Sequence, residues 1–146
     1  MKKIILSLSI LFLITGNVFS AGSSSSGGDS ESAKTKTNYE KAVAHIKVAK
    51  KHEKKGKLEK ANKRYVKAQN LLIKSNNKKP NDADTLNYLG FTTRKLGDFE
   101  NGEKYYLQGL AIDPNHKGIN EYLGELYVAT KRHNLAVERL EVLKGC

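Results

Sequence analysis

Tryptophan is absent from the 146-residue chain, proline occurs twice, and the one cysteine is the last residue. A lone cysteine excludes an internal disulfide and any C-x-x-C redox or zinc motif, and leaves Cys146 as a candidate only for an intermolecular bond. With prolines only at Pro80 and Pro114, long stretches can run as uninterrupted helix. Period-2 alternation and Val/Ile-rich runs are missing, which argues against a sheet. No apolar run reaches the roughly 20 residues of a membrane span. The chain also has no G-x-S-x-G, no phosphate-cradling glycine loop and no H-E-x-x-H. The sequence therefore offers no catalytic residue, no metal ligand set and no cofactor motif, and the expectation is a protein that is not an enzyme.

What is present begins with a leader. Lys2 and Lys3 precede a mostly apolar stretch of 12 residues, Ile4 to Thr15, and Val18-Phe19-Ser20 places small side chains for cleavage before Ala21. Residues 1–20 read as an export signal, so the expected location is the periplasm. Residues 21–38 are rich in Ser and Gly and have almost nothing to bury, so they read as a flexible tether. The folded part is expected from residue 39 to Cys146.

In that part apolar residues recur at helical spacing, as in Leu58, Ala61, Tyr65, Ala68 and Leu72, which share one stripe. Gly56, Gly97, Pro80 and Pro114 punctuate the stripes, and Asp98 suits the cap of a following helix. Tyr88-Leu89-Gly90 returns as Tyr122-Leu123-Gly124, and Pro80-Asn81 as Pro114-Asn115, both after 34 residues. Gly90 and Gly124 fall mid-helix, where glycine costs about 1 kcal/mol against alanine. That cost is expected to reflect a neighbouring helix crossing at each position. Gly102 and Gly109 read the same way on the second helix. Leu86, Leu89, Leu110 and Ile112 are expected to fill the space within the hairpin.

A 34-residue period of paired helices is the mark of the tetratricopeptide repeat. The stretch from Ala83 to His116 resembles that family closely, with Leu86, Leu89-Gly90, Thr93, Gly102, Tyr106 and Pro114 in the motif places. The next unit matches at Asn120, Leu123-Gly124, Tyr127, Ala136 and Leu140. A divergent first unit carries Gly56, Ala61 and Tyr65 in the corresponding places, and seven extra residues lengthen its second helix by two turns. The resemblance implies an all-α helical-hairpin solenoid of about three units, at 39–80, 83–116 and 117–146, the last truncated. The chain is similar to small exported tetratricopeptide proteins of Gram-negative bacteria. That likeness implies a non-catalytic adaptor for an unidentified protein partner, bound on the concave face lined by the first helix of each unit.

On this register Asn87, Phe91 and Arg94 line the groove in the middle unit, Glu121, Glu125 and Val128 in the last, and Ile46, Lys50 and Glu53 in the first. Phe91 is expected as an exposed aromatic anchor for a ligand side chain. The groove lacks the Lys, Arg and Asn cluster with which some relatives clamp a terminal carboxylate, so mixed polar and apolar contacts are expected. His45 and His52 lie about 10 Å apart along one helix, too far to share a metal, and stand where the family places aromatics.

Charge gives the second expectation. Residues 34–80 carry 16 Lys or Arg against 3 acidic residues, whereas residues 81–146 carry 8 against 10. The basic hairpin, with Lys54, Lys55, Lys57 and Lys60, reads alternatively as a binder of anionic envelope surfaces or polymers. Nucleic acid fits the charge but not the leader, and stacking aromatics are missing from the basic segment. Val137, Leu140 and Leu143 form an apolar face on a last helix with no successor, which suggests self-association at that end.

Overall fold

The computed structural model describes residues 35–145, and within them the chain forms six helices and no strand. These are α1 (Asn38–Lys54), α2 (Leu58–Lys78), α3 (Ala83–Lys95), α4 (Phe99–Ile112), α5 (Lys117–Ala129) and α6 (His133–Lys144). The leader, the tether as far as residue 34 and Cys146 lie outside the described residues.

Local chemistry starts the helices. Thr37 caps α1 in a reciprocal box with Glu40: the Glu40 amide donates to Thr37 Oγ1 at 3.1 Å, and the Thr37 amide donates to Glu40 Oε2 at 2.7 Å. The fold thus reaches into the last residues assigned to the tether. Asp82 and Asp98 cap α3 and α4 by accepting from the amides of Thr85 (2.9 Å) and Asn101 (3.0 Å). His116 does the same for α5: its Nδ1 accepts from the Ile119 amide at 3.1 Å.

The helices pair as three hairpins, α1–α2, α3–α4 and α5–α6. Gly56 (φ 66°) and Gly97 (φ 98°) turn the first two in the left-handed region, and Lys131 (φ 61°) takes that place in the third. A lysine there bears the steric cost that glycine avoids. α2 has 21 residues against 14 in α4, seven more on the long arm of the first hairpin.

The core runs along the hairpin seams. Ala61, Tyr65, Ala68 and Leu72 are buried on α2 against Ala42, Ile46 and Ala49 of α1. Leu58, expected on that stripe, is 61% exposed, because it opens α2 directly after the turn, before the chain comes alongside α1. Ile112 is also exposed, being the final residue of α4, whereas Leu86 and Leu89 are buried and Leu110 is half-buried. The two Tyr-Leu-Gly sites differ. A Cβ on Gly90 would lie 2.5 Å from Tyr106 Cε1, so α3 does need glycine where α4 crosses; on Gly124 it would meet nothing closer than Arg139 Cβ at 3.6 Å. α6 thus passes Gly124 at ordinary van der Waals distance, and the glycine expected to be required at that crossing is not sterically required. Tyr106 has no counterpart on α6, where Leu140 takes its place in the repeat and is half exposed.

Candidate functional site: the face of α1, α3 and α5

The first helices of the three hairpins stand side by side, and aromatic pairs join them. Tyr88, of the first Tyr-Leu-Gly, packs back on Tyr39 of α1 with ring centroids 5.9 Å apart. Tyr122, of the second, packs back on Phe91 of α3 at 4.8 Å. Phe91 also meets Tyr65 edge-on at 5.8 Å. It is only 2% exposed. The exposed anchor expected at Phe91 is thus corrected: the curvature of the stack brings Tyr122 of the following unit over its ring. Asn87 (6% exposed) is buried beside Gly118 of the next hairpin, and Ile46 (2%) is buried in the core cluster it shares with α2.

Lys50 crosses this seam. Its ammonium lies 4.6 Å from the Phe91 centroid and 5.2 Å from that of Tyr122, and donates to the Tyr122 hydroxyl at 3.0 Å. A residue of α1 and one of α5 thus meet over a residue of α3, which makes this face concave. Charged pairs flank the aromatics. Glu53 accepts from Lys95 Nζ at 2.7 Å and from the Tyr65 hydroxyl at 2.8 Å. Burial opposes ionisation of Glu53, but the Lys95 and Tyr65 hydrogen bonds outweigh it and hold its carboxyl below the usual range. Burial and then Glu53 push the Tyr65 hydroxyl up. Arg94, whose side chain is 10% exposed, donates to Glu125 at 2.6 Å.

Together these residues form a shallow cavity of about 240 Å³ with Phe91 and Tyr122 in its lining. Lys50, Lys54 and Lys95 bring positive charge to its edge; Glu53, Glu121 and Glu125 bring negative charge. Of the nine groove residues read from the sequence, Lys50, Glu53, Phe91, Glu121 and Glu125 meet here, and Arg94 is tied to Glu125. Asn87 does not reach the cavity. Val128 is 54% exposed but lies elsewhere, in an apolar hollow of about 370 Å³ between α5 and α6 with Val137, Leu140 and Leu143. Sequence reasoning missed Tyr122, Lys95 and Tyr65 as site residues. Only the return of Tyr-Leu-Gly pointed to Tyr122.

The remaining candidates fall outside this face. Lys54, at its rim, and Lys55, Lys57 and Lys60 are all exposed around the first turn. His45 is half-buried with its Nδ1 3.1 Å from Arg64 Nη1. Among the described residues no three of His, Cys, Asp and Glu stand close enough to hold a metal ion, and no helix is long and apolar enough to cross a membrane.

No family model matches the chain, and no curated protein matches it either. Solved structures do. The structure described as "MamA RS-1 ArsTM double mutant" aligns with a TM-score of 0.50 at 22% identity, over 70% of this chain and 54% of that one. The fold is a tetratricopeptide-repeat solenoid. Two further tetratricopeptide-like matches score lower. MamA 41-end from Desulfovibrio magneticus RS-1 gives 0.45 at 21% identity over 70% of this chain and 54% of that one. The second TPR of Spaghetti (RPAP3), bound to an HSP90 peptide, gives 0.45 at 18% over 73% and 92%. The chain spans about half the length of the MamA structures. In this tetratricopeptide array the three first helices form the inner face just described, and the elongated basic hairpin forms one end.

Proposed function

We propose that the chain is a non-catalytic protein–protein interaction module of the bacterial envelope, exported by its leader and holding a partner segment on the concave face of α1, α3 and α5. The observation that carries this reading is the cavity itself. Its lining includes two aromatic rings, and its edge is split by sign: on the α1 side Lys50 and Lys54 outnumber Glu53, which is bound by Lys95 and Tyr65, and on the α5 side stand Glu121 and Glu125. Such a rim selects a segment that presents acidic groups toward α1 and basic groups toward α5, because opposed like charges are penalised on binding. Aromatic surface in the lining suits a small apolar side chain between them. The apolar hollow between α5 and α6 supports a second property, association of two copies through their last hairpins.

Site-specific crosslinking tests the concave reading. A photoreactive side chain at Lys54 or at Glu121 should capture the same discrete partner in intact cells, and one at Asn101 on α4 should not. Charge reversal at Lys54 and Glu121 should abolish the captured species. Identical products from all three positions would refute it.

A further inference from the structure

The inner face leaves the densest charge of the molecule unused. On α2, Lys60, Lys63, Arg64 and Lys67 recur at three- and four-residue intervals and so share one stripe. With His52 of α1 they line a separate cavity of about 240 Å³. This stripe lies beside, not among, the residues that meet the second hairpin: Tyr65 reaches Phe91 and Gln69 donates to Thr93. It therefore belongs to the open end of the first hairpin, away from the concave face.

Counter-charge is scarce there. Of the three carboxylates in residues 34–80, Glu40 is held in the cap of α1 and Glu53 by Lys95 and Tyr65. Among the described carboxylates of this hairpin, Glu59 alone stands on the stripe, bound to Lys63 at 2.6 Å. Four cations thus face one carboxylate. The stripe from Lys60 to Lys67 spans about 10 Å at the α-helical rise, longer than a single phosphate. At its inner edge Arg64 donates to His45 Nδ1, which orients the guanidinium. A guanidinium offers a planar fork of donors that matches phosphate oxygens, and flanking lysines add point charges.

We propose that this cleft, formed by His52, Lys60, Lys63, Arg64 and Lys67 with His45 behind Arg64, is a binding site for a ligand bearing two or more phosphates. The site is distinct from the concave groove and does not depend on what that groove holds. Burial, and then the charges of Arg64 and Lys67, hold the His45 imidazole below its usual range. A bound polyanion would offset those two charges, so His45 reports on occupancy.

The test titrates the full-length chain with tripolyphosphate, following the His45 and His52 ring resonances by NMR and the affinity by calorimetry at low and raised salt. Saturable binding at one site per chain is expected, with tripolyphosphate at least tenfold tighter than orthophosphate and with the His45 titration moved to higher pH. Two variants of unchanged helicity separate a site from diffuse attraction. K60Q/K67Q should weaken tripolyphosphate binding at least tenfold, whereas K54Q/K55Q/K57Q, which removes more charge from the adjacent turn, should weaken it less than threefold. Vesicles of phosphatidylglycerol form the second arm. If they compete with tripolyphosphate, the phosphates belong to a membrane surface; if they do not, to a soluble polyphosphorylated ligand. An unmoved His45 titration, equal losses in the two variants, or vesicle binding without saturable tripolyphosphate binding would each overturn the proposal.

Discussion

Replacing Gly90 and Gly124 by alanine, one at a time, should change stability in opposite directions although both glycines close the same three-residue motif. In a helix interior alanine is favoured over glycine by about 1 kcal/mol. At Gly124 nothing opposes that gain, since the new methyl would sit 3.6 Å from Arg139 Cβ, an ordinary contact. Gly124→Ala should therefore stabilise the chain by roughly 0.5–1 kcal/mol. At Gly90 the methyl would fall 2.5, 2.6 and 2.8 Å from three ring atoms of Tyr106. That ring is fully buried. Overpacking of this kind costs about 1–3 kcal/mol, and three simultaneous overlaps place Gly90→Ala at the upper end, for a net loss of about 2 kcal/mol after the propensity gain. Urea unfolding followed by circular dichroism reads both. With a slope of about 1–3 kcal/mol per molar, the two midpoints should separate by roughly 1–3 M with Gly124→Ala the higher. If Gly90→Ala equalled or exceeded the wild type, the α3–α4 crossing described here would be wrong.

Phe91→Ala should behave as a core truncation, losing about 3–5 kcal/mol in urea unfolding, while Glu121→Ala at the exposed rim stays within about 0.5 kcal/mol; a small loss for Phe91→Ala would return that residue to the surface. Lys131→Gly should stabilise the third hairpin by about 1 kcal/mol, since the turn holds φ at 61°, and a loss on thermal denaturation would contradict this. Acid should weaken the fold in two steps. Burial, and then the charges of Arg64 and Lys67, hold His45 below its ordinary value of 6.5, so its contribution is present above that pH and is lost as pH falls through its folded value. Glu53, depressed from 4.5 by Lys95 and Tyr65 against the opposing effect of burial, acts the same way below about pH 4.5. Stability measured against pH should show the upper step removed in His45→Gln and the lower one reduced in Glu53→Gln. Sedimentation at rising concentration should show association that Leu140→Glu, in the half-exposed apolar hollow, abolishes; a wild type monomeric throughout would rule out the end-to-end contact.

The parts of this structure that depend on neighbours in sequence were legible in advance. Gly56 and Gly97 marked the hairpin turns, Asp98 the cap of α4, and the 34-residue return of Tyr-Leu-Gly the all-α stack. The parts that depend on how one hairpin leans on the next were not. Phe91 is buried by the hairpins on either side of its own, with Tyr65 of the first meeting it edge-on and Tyr122 of the third set over its ring. Gly124 reads identically to Gly90, but its partner α6 carries no tyrosine at the crossing. Nothing local to His116 reveals that its Nε2 lies 3.1 Å from Asp84, 32 positions earlier.

The contact between Lys50 and Tyr122 spans 72 positions and skips an entire unit. A repeat array is ordinarily one-dimensional: each unit senses only the next, so its ends fray independently and it flexes like a spring. A direct tie between the first and third units adds a second-neighbour term to that chain of couplings. Loss of the terminal hairpin then weakens the opposite end as well, and unfolding from either end becomes a shared event. The same tie fixes the pitch of the coil, because the stack cannot straighten while Lys50 grips Tyr122. Lys50→Met, which keeps most of the side chain but forfeits the bond to the Tyr122 hydroxyl, would leave the stack joined by contacts between adjacent units alone, such as Phe91 with Tyr122 and Tyr65 with Phe91.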